Sequence, residues 1–169
     1  MKLLDNILDK TAGLPGVRKR FLASVIVLFL SMKSRINFMN MSRVGQYSEK
    51  SCRLHFEQRF DFLAFNKMLT EHNCSKHRII AGDCSYIPKS GKKTPHLGKF
   101  WSGCASKSLK GLEISSLAVI DVENNTAMHL ECRQTPAELK NDESRMDFYL
   151  QQVIERNDEL KELADYIVN

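Results

Sequence analysis

Acidic side chains are scarce over the first two-thirds of this chain. Residues 1–110 hold seven Asp and Glu against twenty Lys and Arg, whereas residues 111–169 hold thirteen against five, a division that the net charge of +5 conceals. An even surface would not divide this way. The basic part therefore points at a polyanion, nucleic acid ahead of an anionic membrane surface, and the acidic tail reads as a solvated helix or an intramolecular counter-charge. Also missing is any CxxC pair: the five cysteines, at 52, 74, 84, 104 and 132, are odd in number and scattered. That excludes a disulfide framework and indicates a reducing compartment. His72, Cys74 and His77 with Cys84 can be drawn as a zinc site, but their spacing matches no structural-zinc pattern.

Long apolar runs are lacking too. Residues 21–30 are apolar apart from Ser24 and follow Arg18, Lys19 and Arg20, with Lys33 beyond. Crossing a bilayer takes about 20 apolar residues, so this run is too short. It starts far from the N-terminus and no small-residue cleavage site follows it, so it reads as a buried helix rather than a signal peptide. Nothing supports an organic cofactor or a nucleotide-binding loop, and no histidine is placed to activate the Ser and Cys residues near Asp83.

Periodicity divides what is present into two parts. Leu3, Leu4, Ile7 and Leu8 predict a helix over residues 2–10, ended by Gly13 and Pro15, and a second helix follows over 17–32. Residues 34–47 read as a helix or turn-helix. Ser48 opens another, with Cys52, Phe56, Phe60 and Leu63 at intervals of three or four, and a separate short helix is expected over about 61–71. These make a compact basic helical domain over residues 1–75.

From 76 to 169 the period becomes extended. Strands are predicted over 79–87, 112–121 and 126–133, with 88–108 a loop and Asn124-Asn125 the turn of a hairpin. Thr135, Pro136 and Glu138 carry the signals of a helix start, and Met146, Tyr149, Leu150, Val153, Ile154, Leu160 and Leu163 form one helical stripe over 142–164. Residues 166–168 look like a strand beginning. The fold class is α+β.

The chemistry centres on Asp83. It ends the apolar run from Arg78 to Gly82 and is followed by a loop with Lys89, Lys92 and Lys93 beside Ser90, Gly91 and Thr94. A carboxylate on a central strand can hold a hard cation such as Mg²⁺, and the lysines suit a phosphate backbone that they position without reading its sequence. An isolated Asp more often caps a strand or turn. In the helical part, Arg18, Lys19, Arg20, Lys33, Arg35 and Arg43 are the candidates for duplex contact. Trp101 could stack on an exposed base, but packing against the sheet is the expected role. Glu113, Asp121 and Glu131 are expected in plain surface or turn roles.

The stretch Ile80-Ala81-Gly82-Asp83-Cys84-Ser85-Tyr86-Ile87-Pro88-Lys89-Ser90-Gly91-Lys92-Lys93-Thr94, then Phe100-Trp101-Ser102-Gly103-Cys104 and Gly111-Leu112-Glu113-Ile114-Ser115, resembles the insertion-sequence transposases of the DDE class. Arg35-Ile36-Asn37-Phe38 and Arg43-Val44-Gly45-Gln46-Tyr47 resemble the leader region of that family. The resemblance implies an RNase-H-like sheet on which three carboxylates bind two cations, Mg²⁺ or Mn²⁺, and cut and join DNA ends, with Asp83 as the first carboxylate. It implies the first half of such a domain: three antiparallel strands, one helix and the start of a fourth strand.

In the family the second carboxylate comes from that fourth strand and the third from a later helix, beyond residue 169. Asp165 precedes its apolar run and does not take the second role. The expected activity is therefore binding of element-end DNA without catalysis by this portion alone, in the cytoplasm at the nucleoid, with self-association or pairing with a full-length transposase. The alternatives are a non-enzymatic DNA-binding regulator or inhibitor of transposition, and a decayed remnant. The poorly covered outer edge of the first strand is expected to make the chain association-prone.

Overall fold

The computed structural model describes residues 2–139 and 142–168. The chain divides into two compact units, Met1–Met68 and Leu69–Asn169. Among the described residues it is a mixed α+β protein with seven helices and a five-stranded mixed sheet.

The first unit is helical: α1 Lys2–Lys10, α2 Gly16–Ser31, α3 Phe38–Val44, α4 Glu49–Phe56 and the start of α5 Phe62–Asn73. Its core gathers Phe21 and Val25 of α2, Met41 of α3 and Cys52 of α4, with Leu22, Leu28, Met32, Phe38 and Tyr47 packed around them. Phe21 stacks on His55 at 4.1 Å and meets Tyr47 edge-on at 5.0 Å, so one aromatic ring ties three segments together. Asn37 caps α3 by accepting from Asn40 N–H at 2.8 Å, and Ser48 caps α4 by accepting from Ser51 N–H at 3.1 Å. Gly45 ends α3 where a side chain would not fit, since a Cβ there would lie 2.8 Å from the Met41 carbonyl oxygen. No helix among the described residues is long and apolar enough to cross a membrane.

The second unit holds β1 Arg78–Pro88, β2 Gly98–Ser102, β3 Lys107–Asp121, β4 Thr126–Gln134, α6 Arg145–Glu155, α7 Asn157–Lys161 and β5 Ile167–Val168. β3 is the spine. β1 runs antiparallel along it without a register break, from Arg78 opposite Asp121 to Pro88 opposite Gly111. Gly111 also pairs with Gly98, so β2 lies on the other edge of β3, and β4 takes that same edge from Ile114 to Asp121. Gly111 is required here: a Cβ would lie 2.4 Å from the Ile87 carbonyl oxygen. β5 joins β1 in parallel, with Ile80 opposite Ile167 and Ala81 opposite Val168. Beyond Ala81 that edge of β1 pairs with no strand among the described residues.

Three expectations need correction. The segment 88–108 is not a single loop, because β2 and the first residues of a longer β3 form a hairpin there through Gly103 and Ser106. The sheet is accordingly five-stranded and mixed rather than a three-stranded antiparallel sheet with a fourth strand beginning. Thr135 does not start a helix: its N–H donates to the Glu113 carbonyl at 2.9 Å, prolonging the sheet. Instead Ser144 caps α6, its hydroxyl accepting from Asp147 N–H at 3.2 Å while its own N–H donates to the Asp147 carboxylate at 2.8 Å. The single stripe over 142–164 is also broken at Arg156, whose ψ of 10° separates α6 from α7.

Antiparallel partners share a face of the sheet, and alternate residues along a strand do too. One face carries Ile80, Gly82 and Cys84 of β1 with Glu113, Ser115, Leu117 and Val119 of β3, and α6 covers it. Ile80, Val119 and Phe100 are fully buried there, and the Arg145 guanidinium lies 4.7 Å above the Phe100 ring. Below α6, Glu131 of β4 accepts from Arg133 Nε and Arg156 Nε, both at 2.9 Å, which pins the break between α6 and α7 to the sheet.

Candidate functional site

Asp83 is the sixth residue of eleven in β1, mid-strand rather than at its end. By the alternation above it lies on the face opposite α6, across from Ser116, and it is exposed. Its Oδ1 accepts from the Cys84 N–H at 2.8 Å. Asp83 stands at the unpaired outer edge of β1, where a cavity of about 320 Å³ opens between β1, β5 and α6, lined also by Cys84, Leu117, Tyr149 and Val153. The carboxylate is thus accessible and held on rigid backbone.

The other acids of the sheet do not join it. Glu113 is buried, facing α6, and accepts from Tyr149 Oη at 2.6 Å. Glu131 is buried between Arg133 and Arg156. Asp121 is fully buried and accepts from Ser75 N–H at 2.8 Å, Ser75 Oγ at 2.7 Å, Asn124 N–H at 3.2 Å and Asn124 Nδ2 at 2.7 Å, which hold its carboxyl well below the usual range. The turn role expected for Asp121 is present. The surface role expected for Glu113 and Glu131 is replaced by buried, partnered ones, because each meets a hydroxyl or guanidinium brought by α6 or the residue that ends it.

A two-cation centre needs two ions about 4 Å apart held by several carboxylates. Among the described residues no group of three His, Cys, Asp or Glu is placed to hold a metal ion. Asp83 offers one ligand, and this donor set does not fit such a centre by itself. His72, Cys74, His77 and Cys84 do not gather into a zinc site either. Burial raises the thiol pKa of Cys84, so it is not a ready nucleophile.

The basic candidates separate by exposure. In the first unit Arg20, Lys33, Arg35 and Arg43 are exposed. Arg18 is buried, and its guanidinium donates to the Gln58 side chain and, at 2.7 Å, to the Gln58 carbonyl. Lys19 is bonded to Asp9 at 3.1 Å. Arg18 therefore belongs to the scaffold and not to an exposed basic face. In the second unit Lys89, Lys92 and Lys93 are exposed on the segment after β1. Lys92 lines an open concavity of about 700 Å³ together with Thr94, His96, Lys110 and Glu138.

Trp101 differs from expectation. Phe100 takes the buried position on β2, so alternation turns Trp101 outward, and it is 58% exposed. Lys110 joins the basic candidates only through the fold. No polar-apolar alternation in Lys99-Phe100-Trp101-Ser102 marks the short strand inside the apparent loop, because its two aromatics are adjacent. No protein-family model matches the chain, and a search of curated proteins found no match.

Proposed function

We propose that this chain is the N-terminal portion of a DDE-type insertion-sequence transposase, its second unit the beginning of an RNase-H-like nuclease domain. Asp83 is then the first of the carboxylates that hold Mg²⁺ or Mn²⁺ in the complete enzyme. The observation that carries this reading is the order of elements around Asp83. Two long antiparallel strands flank β3, a helix crosses over, and β5 returns parallel to β1. That parallel register climbs toward Asp83, so an acidic residue further along such a strand would come to face it. The exposed Arg20, Arg35 and Arg43 in one unit, and Lys89, Lys92 and Lys93 in the other, supply phosphate contacts to element-end DNA at the nucleoid.

The test begins with the coding DNA after the Asn169 codon, read for an apolar strand ending in Asp and a later helix bearing Glu. The joined polypeptide should nick element-end DNA with Mn²⁺, and Asp83→Ala should abolish nicking. Undiminished nicking by Asp83→Ala overturns the assignment.

The lone carboxylate favours a second reading, a DNA-binding regulator that occupies element ends or pairs with the full-length enzyme without cutting. It requires salt-dependent DNA binding by the chain that Asp83→Ala leaves intact, and inhibition of the enzyme when the two are mixed.

A further inference from the structure

We infer that the outer face of the β2–β3 hairpin is a docking platform for an unpaired nucleic-acid strand, with Trp101 stacking a base and Lys99 and Lys110 holding the adjoining phosphates. The choice of DNA as the polymer rests on the function proposed above; the platform itself rests on other residues.

Lys99 and Lys110 are direct cross-strand partners, and Trp101 opposite Ser108 occupies the next position on that face. Like charges placed opposite each other in a sheet weaken it, so a pair of this kind calls for a counter-charge. Among the described residues neither ammonium is in an ion pair. Lys92 borders the same concavity as Lys110 and adds to its positive potential, against the carboxylate of Glu138 among the described lining residues.

The hairpin is well anchored from behind, by Phe100 under Arg145, by the Arg145 guanidinium donating to the Lys99 carbonyl at 3.1 Å, and by Tyr86 Oη donating to the Lys110 carbonyl at 2.7 Å. The backbone carbonyls of Lys99 and Lys110 are thus each held by a side-chain donor, while both lysines are exposed. Trp101 is the exception to a strand that otherwise buries its aromatic residue.

A flat exposed indole beside a pair of lysines fits a base whose face is open. In a duplex both faces of each base are already stacked, so the indole gains nothing there beyond what the lysines supply. An acidic peptide would engage the lysines but leave the ring without a planar partner. The even-numbered residues of β3 continue this face from Lys110 to Ser116, opposite Asp83, a span of about 20 Å. A strand seated on Trp101 can thus run along one face of the sheet to the carboxylate.

Trp101 is the only tryptophan in the chain, so its fluorescence reports the platform directly. The full chain would be titrated with oligo(dT) and, separately, with a duplex of equal length at low salt, following indole emission and the anisotropy of a label on the DNA. Oligo(dT) should quench the indole and the duplex should not. Trp101→Ala should weaken oligo(dT) binding about tenfold, Trp101→Phe should restore most of it, and Lys110→Glu should weaken it further. Oligo(dT) binding without quenching, or oligo(dT) affinity unchanged in Trp101→Ala, overturns the platform and leaves the proposed DNA function standing. Binding of neither DNA overturns both. Binding of an acidic peptide with equal quenching overturns the nucleic-acid assignment alone.

Discussion

Tyr149 Oη on α6 donates a 2.6 Å hydrogen bond to Oε1 of Glu113, a buried carboxylate in the middle of the sheet. Removing the donor leaves the buried carboxylate without that partner. Tyr149→Phe should cost roughly 1–3 kcal/mol, and adding Glu113→Gln should recover part of it. Urea unfolding of the two single variants and the double variant reads the coupling; additive losses would show that the bond contributes nothing of its own.

Burial, and then the bond to Glu113, raise the Tyr149 pKa far above its ordinary 10.0. Unfolded tyrosine ionises above about pH 10 while the folded one keeps its proton, so the unfolded state binds fewer protons there and stability falls as pH rises. Unfolding midpoints should decline above pH 10 in the wild type and decline less in Tyr149→Phe.

At the acid end the sign reverses. Hydrogen bonds from Asn124 and Ser75 depress the Asp121 carboxyl, so its contribution is present above the unfolded carboxylate range and is lost as pH falls below it. Asp121→Asn should lower the melting temperature at neutral pH and flatten its dependence between about pH 4 and pH 2. An unchanged acid limb would exclude Asp121 as its source.

Exposed lysines and the buried arginine should part company under substitution. Replacing Lys89, Lys92 or Lys93 by Gln should leave melting unchanged and reduce the salt slope of DNA binding by about 1 for each phosphate no longer neutralised. Arg18→Gln should instead destabilise the helical unit, because it breaks the two bonds to Gln58. A variant of Arg18 that folds normally but loses salt slope would return that residue to the DNA surface.

Element type was readable wherever a period ran long enough. Leu3, Leu4, Ile7 and Leu8 set the first helix, and the β-branched run into Asp83 set β1. The failures share a cause, which is that tertiary partners overrode local signals. Thr135 has the composition of a helix cap, but its backbone is taken by the sheet at Glu113, while Ser144 and Asp147 satisfy each other nearby. β2 was hidden because its five residues begin with glycine and lysine, and its outward Trp101 breaks the pattern of buried aromatics. That Asp83 lies on β1 was legible from the apolar run before it; its place in mid-strand was not. Its isolation from Glu113, Asp121 and Glu131 was not, since which face an acid takes depends on register.

β2 and β4 share one edge of β3 end to end, and β1 stops at Gly111 on the other. The four residues of β3 before Gly111 therefore pair with no strand but β2 among the described residues, while those after it are clamped from both sides over most of their length. The tip can open without disturbing the rest, giving two classes of amide protection within one continuous strand. Deuterium should enter Lys107–Lys110 through local fluctuations, whereas Leu117–Val119 should exchange only when the whole sheet comes apart.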